Sequence, residues 1–538
     1  YDITGSAPFI DADYLPLTEK MRQFETFELE FQGTAPQGSQ SIIDLKTTFT
    51  MDGAEKEIKG FYAGNNIYKV RYYPQKSGKC TWRTSSGISL TGPLEGEEEC
   101  LPALDGMHGM VQADGIHFRH EDGTRYLSVG TTVYALIHQE KELIEETMES
   151  LKKAPFNKVR LCVFPKDYDF NHNDPEYYAF EKTNGTWDVD RPCFLFWDRL
   201  EQRILELQEM GIQVDLILFH PYDKWGFSRF SKEECLVYLG YVVRRLSAFP
   251  NIWWSMANEY DLMEYFEKEW WYEFSDFLHT EDLYGHLLSN HNCLKYWDFS
   301  EPNTTHCSIQ YAGMIQTPDL QKEYGKPVIF DECGYEGNLP NAWGNLTAFD
   351  LLDHFWTAFA FGGYCTHGET IWNKDEVLWW SKGGVLSGKC PERIGFLRSV
   401  LEELPGDLDP FESQFDRERL LKAMKDPEQA KRIPYVIRSI ARMDDEPFQC
   451  FMNGNREIFS HCGDKVYLRY WGRHCPLWSD MILPEEHSYS VEVIDIWEMT
   501  RETVLTGVSG AVRVPMPGKE GIVVLAKVLE SWCGDYRK

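Results

Sequence analysis

Two stretches, NIWWSMANE (251–259) and KPVIFDEC (326–333), decide the fold. Each is a short apolar run that closes on acidic chemistry: Asn258-Glu259 in the first, Asp331-Glu332 in the second. Runs this apolar belong to strands buried on both faces, as in a parallel sheet covered by helices. Six more flank them: YLSVGTTVYAL (126–136), NKVRLCVFP (157–165), IQVDLILFH (212–220), HLLSNHNC (286–293), THCSIQY (305–311) and GGYCTHGET (362–370). Amphipathic segments at 140–153, 194–210, 231–248, 262–280, 314–324 and 347–361 lie between the runs and predict helices. Eight such strands with crossover helices, over roughly 250–300 residues, predict an α/β protein with a (β/α)8 TIM barrel. A doubly wound open sheet would normally carry GxGxxG after its first strand, and that motif is missing.

Working outward, residues 1–104 predict an N-terminal β-sandwich. FETFELEFQG, SIIDLKTTFT, KEIKGFYAG, IYKVRYYPQ and CTWRTSS alternate apolar with polar and are cut by turn residues. GPLEGEEECLPALDG reads as an acidic linker into the barrel at 105–404. Residues 405–445 are charged and partly helical, a connector, and 446–538 return to strands as a C-terminal β-sandwich. The segment 166–193, rich in Asp, Asn, Tyr and Pro, predicts a long loop on the catalytic rim.

Bulk chemistry narrows the partners. The 538 residues carry 54 Lys and Arg against 85 Asp and Glu, a net charge of −31. Polyanion binding needs clustered cations, so a nucleic-acid partner is not expected. No run approaches the ~18 apolar residues of a membrane helix, so no membrane partner is expected either. The 14 Cys lie largely in apolar runs without CxxC spacing, and the visible N-terminus lacks a basic-then-apolar leader, so a cytoplasmic protein is expected. The 18 Trp and 28 Tyr suit either large cores or the flat C–H faces of sugars. HExxH, GxxxxGK[ST] and GxSxG do not occur, so no cofactor and no metal are expected. Asp167, Asp169 and Asn171 have the spacing that opens a calcium loop, but His172 stands where that loop needs Gly and Tyr178 where it needs Glu.

Active sites of such barrels sit at the C-terminal strand ends. Glu259 ends the fourth run and Glu332 the seventh. One strand-end carboxylate is an ordinary helix cap. Two, at strands four and seven, are what glycosidic cleavage needs: one protonated to release the leaving oxygen, one ionised to attack or to activate water. Asn258 is placed to hydrogen-bond a sugar 2-hydroxyl.

The chain resembles the clan of retaining glycoside hydrolases on (β/α)8 barrels, and within it an apiosidase-like family. The resemblance runs through VGTTVYA (129–135), PFNKVRLCVFPK (155–166), DLILFHPYDKWGF (215–227), WWSMANEYDLM (253–263), VIFDECGYEGN (328–338), WGNLTAFD (343–350) and THGETIW (366–372). It extends to both flanking β-domains. It implies Glu259 as acid/base and Glu332 as nucleophile, with Arg160 ionising and orienting Glu332. His220 is a candidate for a sugar hydroxyl or the nucleophile, and His367 and Glu369 for sugar hydroxyls. Trp372 is the candidate platform, with Trp225, Trp379 and Trp380 as others. Where the clan commonly has His-x-Tyr on strand six, this chain has His306 and Tyr311, whose opposite parity keeps one off the site unless a bulge intervenes. The expected reaction is double displacement on a carbohydrate, either a β-glycoside or an α-L-arabinofuranoside, with exo action. A transglycosylase and a non-catalytic carbohydrate-binding protein are the alternatives. A homo-oligomer is compatible with the accessory β-domains.

Overall fold

The computed structural model describes residue 17 and residues 20–411 and 415–529. At its centre lies an eight-stranded parallel barrel. Its strands are β1 (Val129–Thr132), β2 (Lys158–Cys162), β3 (Gln213–Phe219), β4 (Ile252–Ala257), β5 (Leu288–Ser289), β6 (Cys307–Gln310), β7 (Val328–Glu332) and β8 (Tyr364–His367). All eight predicted runs contain one of these strands. Neighbours pair in chain order from β1 to β5 and from β6 to β8, and β8 returns to β1. A parallel bridge between His291 and Ser308 closes the ring between β5 and β6.

Helices α1 (Lys141–Lys153), α2 (Phe194–Glu209), α3 (Lys232–Leu246), α4 (Lys268–Glu281), α5 (Thr317–Tyr324), α6 (Ala348–Ala360) and α7 (Cys390–Glu402) coat the outside. Local signals start two of them: Ser231 with Glu234 forms a capping box on α3, and Thr347 with Asp350 does so on α6. The chain between β5 and β6 has no helix. The loop after β2 is more ordered than its composition predicts. It folds a hairpin of Phe180–Thr183 and Thr186–Pro192 around Asn184-Gly185, both with positive φ. Asn-Gly is the favoured two-residue hairpin turn because its twist matches that of the strands.

Two four-stranded antiparallel sheets form the N-terminal domain. The stretch KEIKGFYAG divides between them at Gly60, where a Cβ would meet Leu45 Cδ2 at 2.5 Å. The expected acidic linker begins instead with a strand, Glu95–Cys100, on a sheet edge beside Gly78–Ser86. Glu95, Glu97 and Glu99 face outward, and Lys79 pairs with Glu97 at 2.8 Å; charged edges of this kind discourage further strand pairing. After α7 the connector forms four short helices. The last, Asp445–Gly454, extends past the expected start of the C-terminal domain, whose antiparallel strands run from Ile458 to Val528. All thirteen cysteines of the described residues are free thiols.

A buried ion cluster joins the N-terminal domain to the barrel. Arg71 donates to Glu201 Oε1 (2.6 Å) and Oε2 (3.0 Å) on α2 and to the Arg245 carbonyl (2.7 Å) on α3. Arg245 also donates to Glu201. Burial pushes the Glu201 carboxyl up, but Arg245 and Arg71 outweigh it and hold the group down at about 2. Removing one partner strands the other charges in a dry site, which costs about 3–5 kcal/mol. Glu201→Gln is therefore expected to lower stability by that order in urea unfolding. Because the folded pKa is depressed, the contribution of Glu201 is complete above its unfolded value of 4.5 and fades as pH falls towards 2. A variant with wild-type stability at pH 7 would show that the interface is held by its apolar contacts alone.

Candidate active site

The lumen of the barrel is charged. Lys158 and Arg160, inward on β2, meet Asp215 on β3 and Asp331 on β7, all at most 3% exposed. Lys158 Nζ lies 2.7 Å from Asp331 and 3.2 Å from Asp215. Gly130 on β1 makes room for it, since a Cβ there would sit 2.8 Å from Lys158 Cε. Asp331 also accepts from Ser308 Oγ and Thr366 Oγ1, both at 2.6 Å. It thus draws donors from β2, β6 and β8. A register shift between β6 and β7 leaves Asp331 opposite no residue and pairs Gln310 with Glu332.

With Asp331 pinned inward, Glu332 emerges at the strand end among four neighbours. Tyr134, just after β1, donates its phenol to Glu332 Oε1. Arg160 Nη1 lies 4.0 Å from that oxygen and His291 Nε2 3.5 Å from it. Tyr335 faces the same carboxylate. Ser308 gives its single proton to Asp331 and so accepts from His291 Nδ1 at 3.0 Å, which fixes the imidazole. Burial pushes Glu332 up, but His291, Arg160 and Lys166 outweigh it and hold the carboxyl at about 2.

Glu259 ends β4 and is 5% exposed. Its backbone is left-handed, at φ 56° and ψ 55°. A non-glycine residue held there carries strain, and such strain collects at functional sites. The turn is secured by Tyr260 N–H to the His291 carbonyl (2.9 Å) and by Asp261, which accepts from the amides of residues 293–295. Asn258 links the two glutamates. Arg160 can only donate, so the oxygen of the amide faces it (3.3 Å) and the Tyr134 hydroxyl (3.1 Å). Asn258 Nδ2 then points to Glu259 Oε2 at 3.4 Å. Tyr222 and Cys293 also face Glu259, and burial with that carboxylate pushes the Cys293 thiol up to about 12.

Of the residues proposed from sequence, the structure gathers Glu259, Glu332, Asn258 and Arg160. His220 lies on the same rim, bonded through Nε2 to the Phe164 carbonyl (3.1 Å), with Nδ1 unpartnered. Tyr311 borders Glu332 through its backbone, and its ring is 48% exposed. Trp372 stands on the rim, 37% exposed, against Phe170 of the loop after β2. Three candidates lie elsewhere. His306 begins β6 at the opposite end of the barrel, packed on Phe118 and Trp253, so parity alone did not decide its place. His367 points outward, bonded to Thr131 (2.9 Å) and stacked on Phe156. Glu369 accepts from the amides of Ser387 (2.9 Å) and Gly388 (2.8 Å) and ties down the loop before α7. Trp379 donates to Thr131 in the core, Trp380 is buried under the rim, and Trp225 bonds Asp174 on the loop after β2. Sequence reasoning missed Tyr134, Lys166, Tyr222, His291 and Cys293. Each follows a barrel strand inside a quoted run or motif, which is the signal that could have found them.

The catalytic-domain family described as apiosidase-like matches residues 112–389. Two domains of unknown function match the flanks, DUF5060 at 20–87 and DUF5605 at 456–525. Among solved structures, a Bacteroides vulgatus protein named as a candidate glycoside hydrolase is 33% identical, with 95% of this chain and 100% of that one covered and a TM-score of 0.82. A family 5 glycoside hydrolase from the same organism shares the fold at 12% identity, over 78% of this chain and 94% of its own, with a TM-score of 0.56. None of the curated proteins compared with the chain matches it. Among the described residues no helix is long and apolar enough to cross a membrane. The family match spans more than half the sequence and the similar structure nearly all of it, so this chain belongs to the apiosidase-like family and is a glycoside hydrolase.

Proposed function

We propose that the enzyme hydrolyses glycosides with retention of configuration, with Glu332 as nucleophile and Glu259 as acid/base. The observation that carries this reading is the contrast in partners. Glu332 is surrounded by donors and cations that keep it ionised at about 2. Glu259 faces an amide, a phenol and a thiol, and shares Lys166 with Glu332. A carboxylate held ionised by its donors is suited to attack rather than to give up a proton, which leaves the acid's part to its partner across the site.

In the first step Glu332 attacks the anomeric carbon while Glu259 passes its proton to the departing oxygen. In the second, Glu259 takes a proton from water, which attacks the glycosyl-enzyme and frees Glu332. Tyr134 and Arg160 hold Glu332 in line, and Asn258 Nδ2 is available to a 2-hydroxyl. Exo action is supported by Phe170, from the loop after β2, which meets Trp343, Trp372 and Trp380 over the mouth. The substrate class is a β-glycoside or a furanoside of equivalent geometry, α-L-arabinofuranosides among them. The family description places apiosides early in the panel to be tested.

Hydrolysis of aryl pyranosides and furanosides of both anomers tests this. Glu332→Gln and Glu259→Gln should keep the wild-type melting temperature. General acid–base help alone is worth about 10²–10⁴-fold. The Glu259 variant should lose that factor, least with good leaving groups, and the Glu332 variant at least as much. The first-formed sugar, followed by NMR, should keep the anomeric configuration of the substrate; an inverted product would refute double displacement. The acid limb of kcat/KM set by Glu332 should lie near pH 2, not near the ordinary 4.5. His291→Gln removes a group that lowers the Glu332 pKa, so the limb should move to higher pH. An unmoved limb would remove His291 from that role.

A further inference from the structure

Lys166 is a buried cation whose contribution to the reaction described above is only its charge near Glu332. It lies just after β2 and is 1% exposed. Its ammonium stands over four rings from four separate segments: Tyr134 at 3.5 Å, Tyr222 at 4.4 Å, Tyr168 at 4.7 Å and Trp380 at 5.5 Å from the ring centroids. Among the described residues its ammonium makes no hydrogen bond and no ion pair. π-Faces supply attraction but no directed acceptor for three N–H donors. The indole Nε1 of Trp380, in the same cage, is also buried without a partner. Buried donors left open are costly unless something completes them. Lys166 is also close enough to feel both Glu259 and Glu332.

We infer that Lys166 recognises the sugar ring in the cleavage subsite by donating to its hydroxyl oxygens, and that it selects a neutral sugar over a uronate. The placement of the subsite rests on the catalytic pair proposed above. Neutrality follows from the charges in view. Lys158 and Arg160 are matched by Asp215 and Asp331. When Glu259 carries the proton for the leaving group, Lys166 and Glu332 remain in balance. A uronate carboxylate would add a second buried anion beside Glu332 and compete with it for His291, Arg160 and Lys166, the groups that hold Glu332 ionised. A sugar hydroxyl offers an acceptor and adds no charge.

The test uses titration calorimetry of the full chain with monosaccharides that need no hydrolysis: D-apiose, L-arabinose, D-xylose, D-galactose, D-glucose and D-galacturonate. At least one neutral sugar should bind saturably and D-galacturonate should not. Lys166→Met fills the aromatic cage with an uncharged chain. It should weaken that binding at least tenfold, with a melting temperature equal to or above wild type, because an unsatisfied buried charge has been removed. Lys166→Leu should behave alike. Undiminished binding in the Met variant, binding of D-galacturonate alone, or no binding of any sugar would overturn the inference. So would a melting temperature several degrees lower in both variants, which would mark Lys166 as a structural cation. Sugar binding lost with Lys166 but no glycoside hydrolysed would count against the catalytic pair alone. Hydrolysis that depends on the pair but is indifferent to Lys166 would count against this inference alone.

Discussion

The contact on which the site depends is the buried pair of Lys158 and Asp331. An aspartate in the lumen of a barrel is tolerable only if its oxygens are met, and here they are met from three strands. That satisfaction fixes the rotation of β7 at its last turn, and the next residue, Glu332, inherits its direction from it. The same aspartate orients Ser308, which orients His291, which faces Glu332. Glu332 is thereby aimed through the backbone and given its electrostatic setting through a side-chain relay, both beginning at one carboxylate. Supporting contacts of this kind hold catalytic groups to the narrow tolerances that chemistry demands.

The two ends of the barrel divide the work. At the bottom, Phe118, Trp253, His306 and Tyr364 pack into an apolar floor. In the middle, charges are paired side chain to side chain. At the top, pairing is incomplete: among the described residues the Nδ1 of His220 and the Nε1 of Trp380 have no hydrogen-bond partner, and the Lys166 ammonium meets only aromatic faces. A substrate with many hydroxyls fits a surface whose polar demand rises towards the mouth. The flanking N-terminal domain acts at a distance, bracing α2 and α3 through the Arg71–Glu201–Arg245 cluster.

Much of this was legible in the sequence. All eight strands fell inside apolar runs because a strand buried on both faces cannot disguise its composition. Glu259 and Glu332 were singled out because strand ends are the one place where such a run must meet solvent and chemistry, and the structure brings the two to one rim. What failed was direction. His306, His367 and Glu369 are polar residues in or beside strands, as the residues gathered at the rim are, but which way each faces depends on the register shift at Asp331 and on where each strand begins. Tyr134, Lys166 and His291 were missed because their roles come from through-space partners on other strands. The acidic stretch 94–100 read as a linker because its charges hid an alternation that only a sheet edge reveals.

The left-handed backbone at Glu259 has a further consequence. In that conformation a side chain crowds its own carbonyl, at a cost of roughly 1–2 kcal/mol, and only glycine escapes it. Folding alone would therefore favour a glycine at the end of β4. The carboxylate stands there against the preference of its own backbone, and the fold carries that cost. A designer optimising this barrel for heat resistance alone would be led to replace Glu259 by glycine.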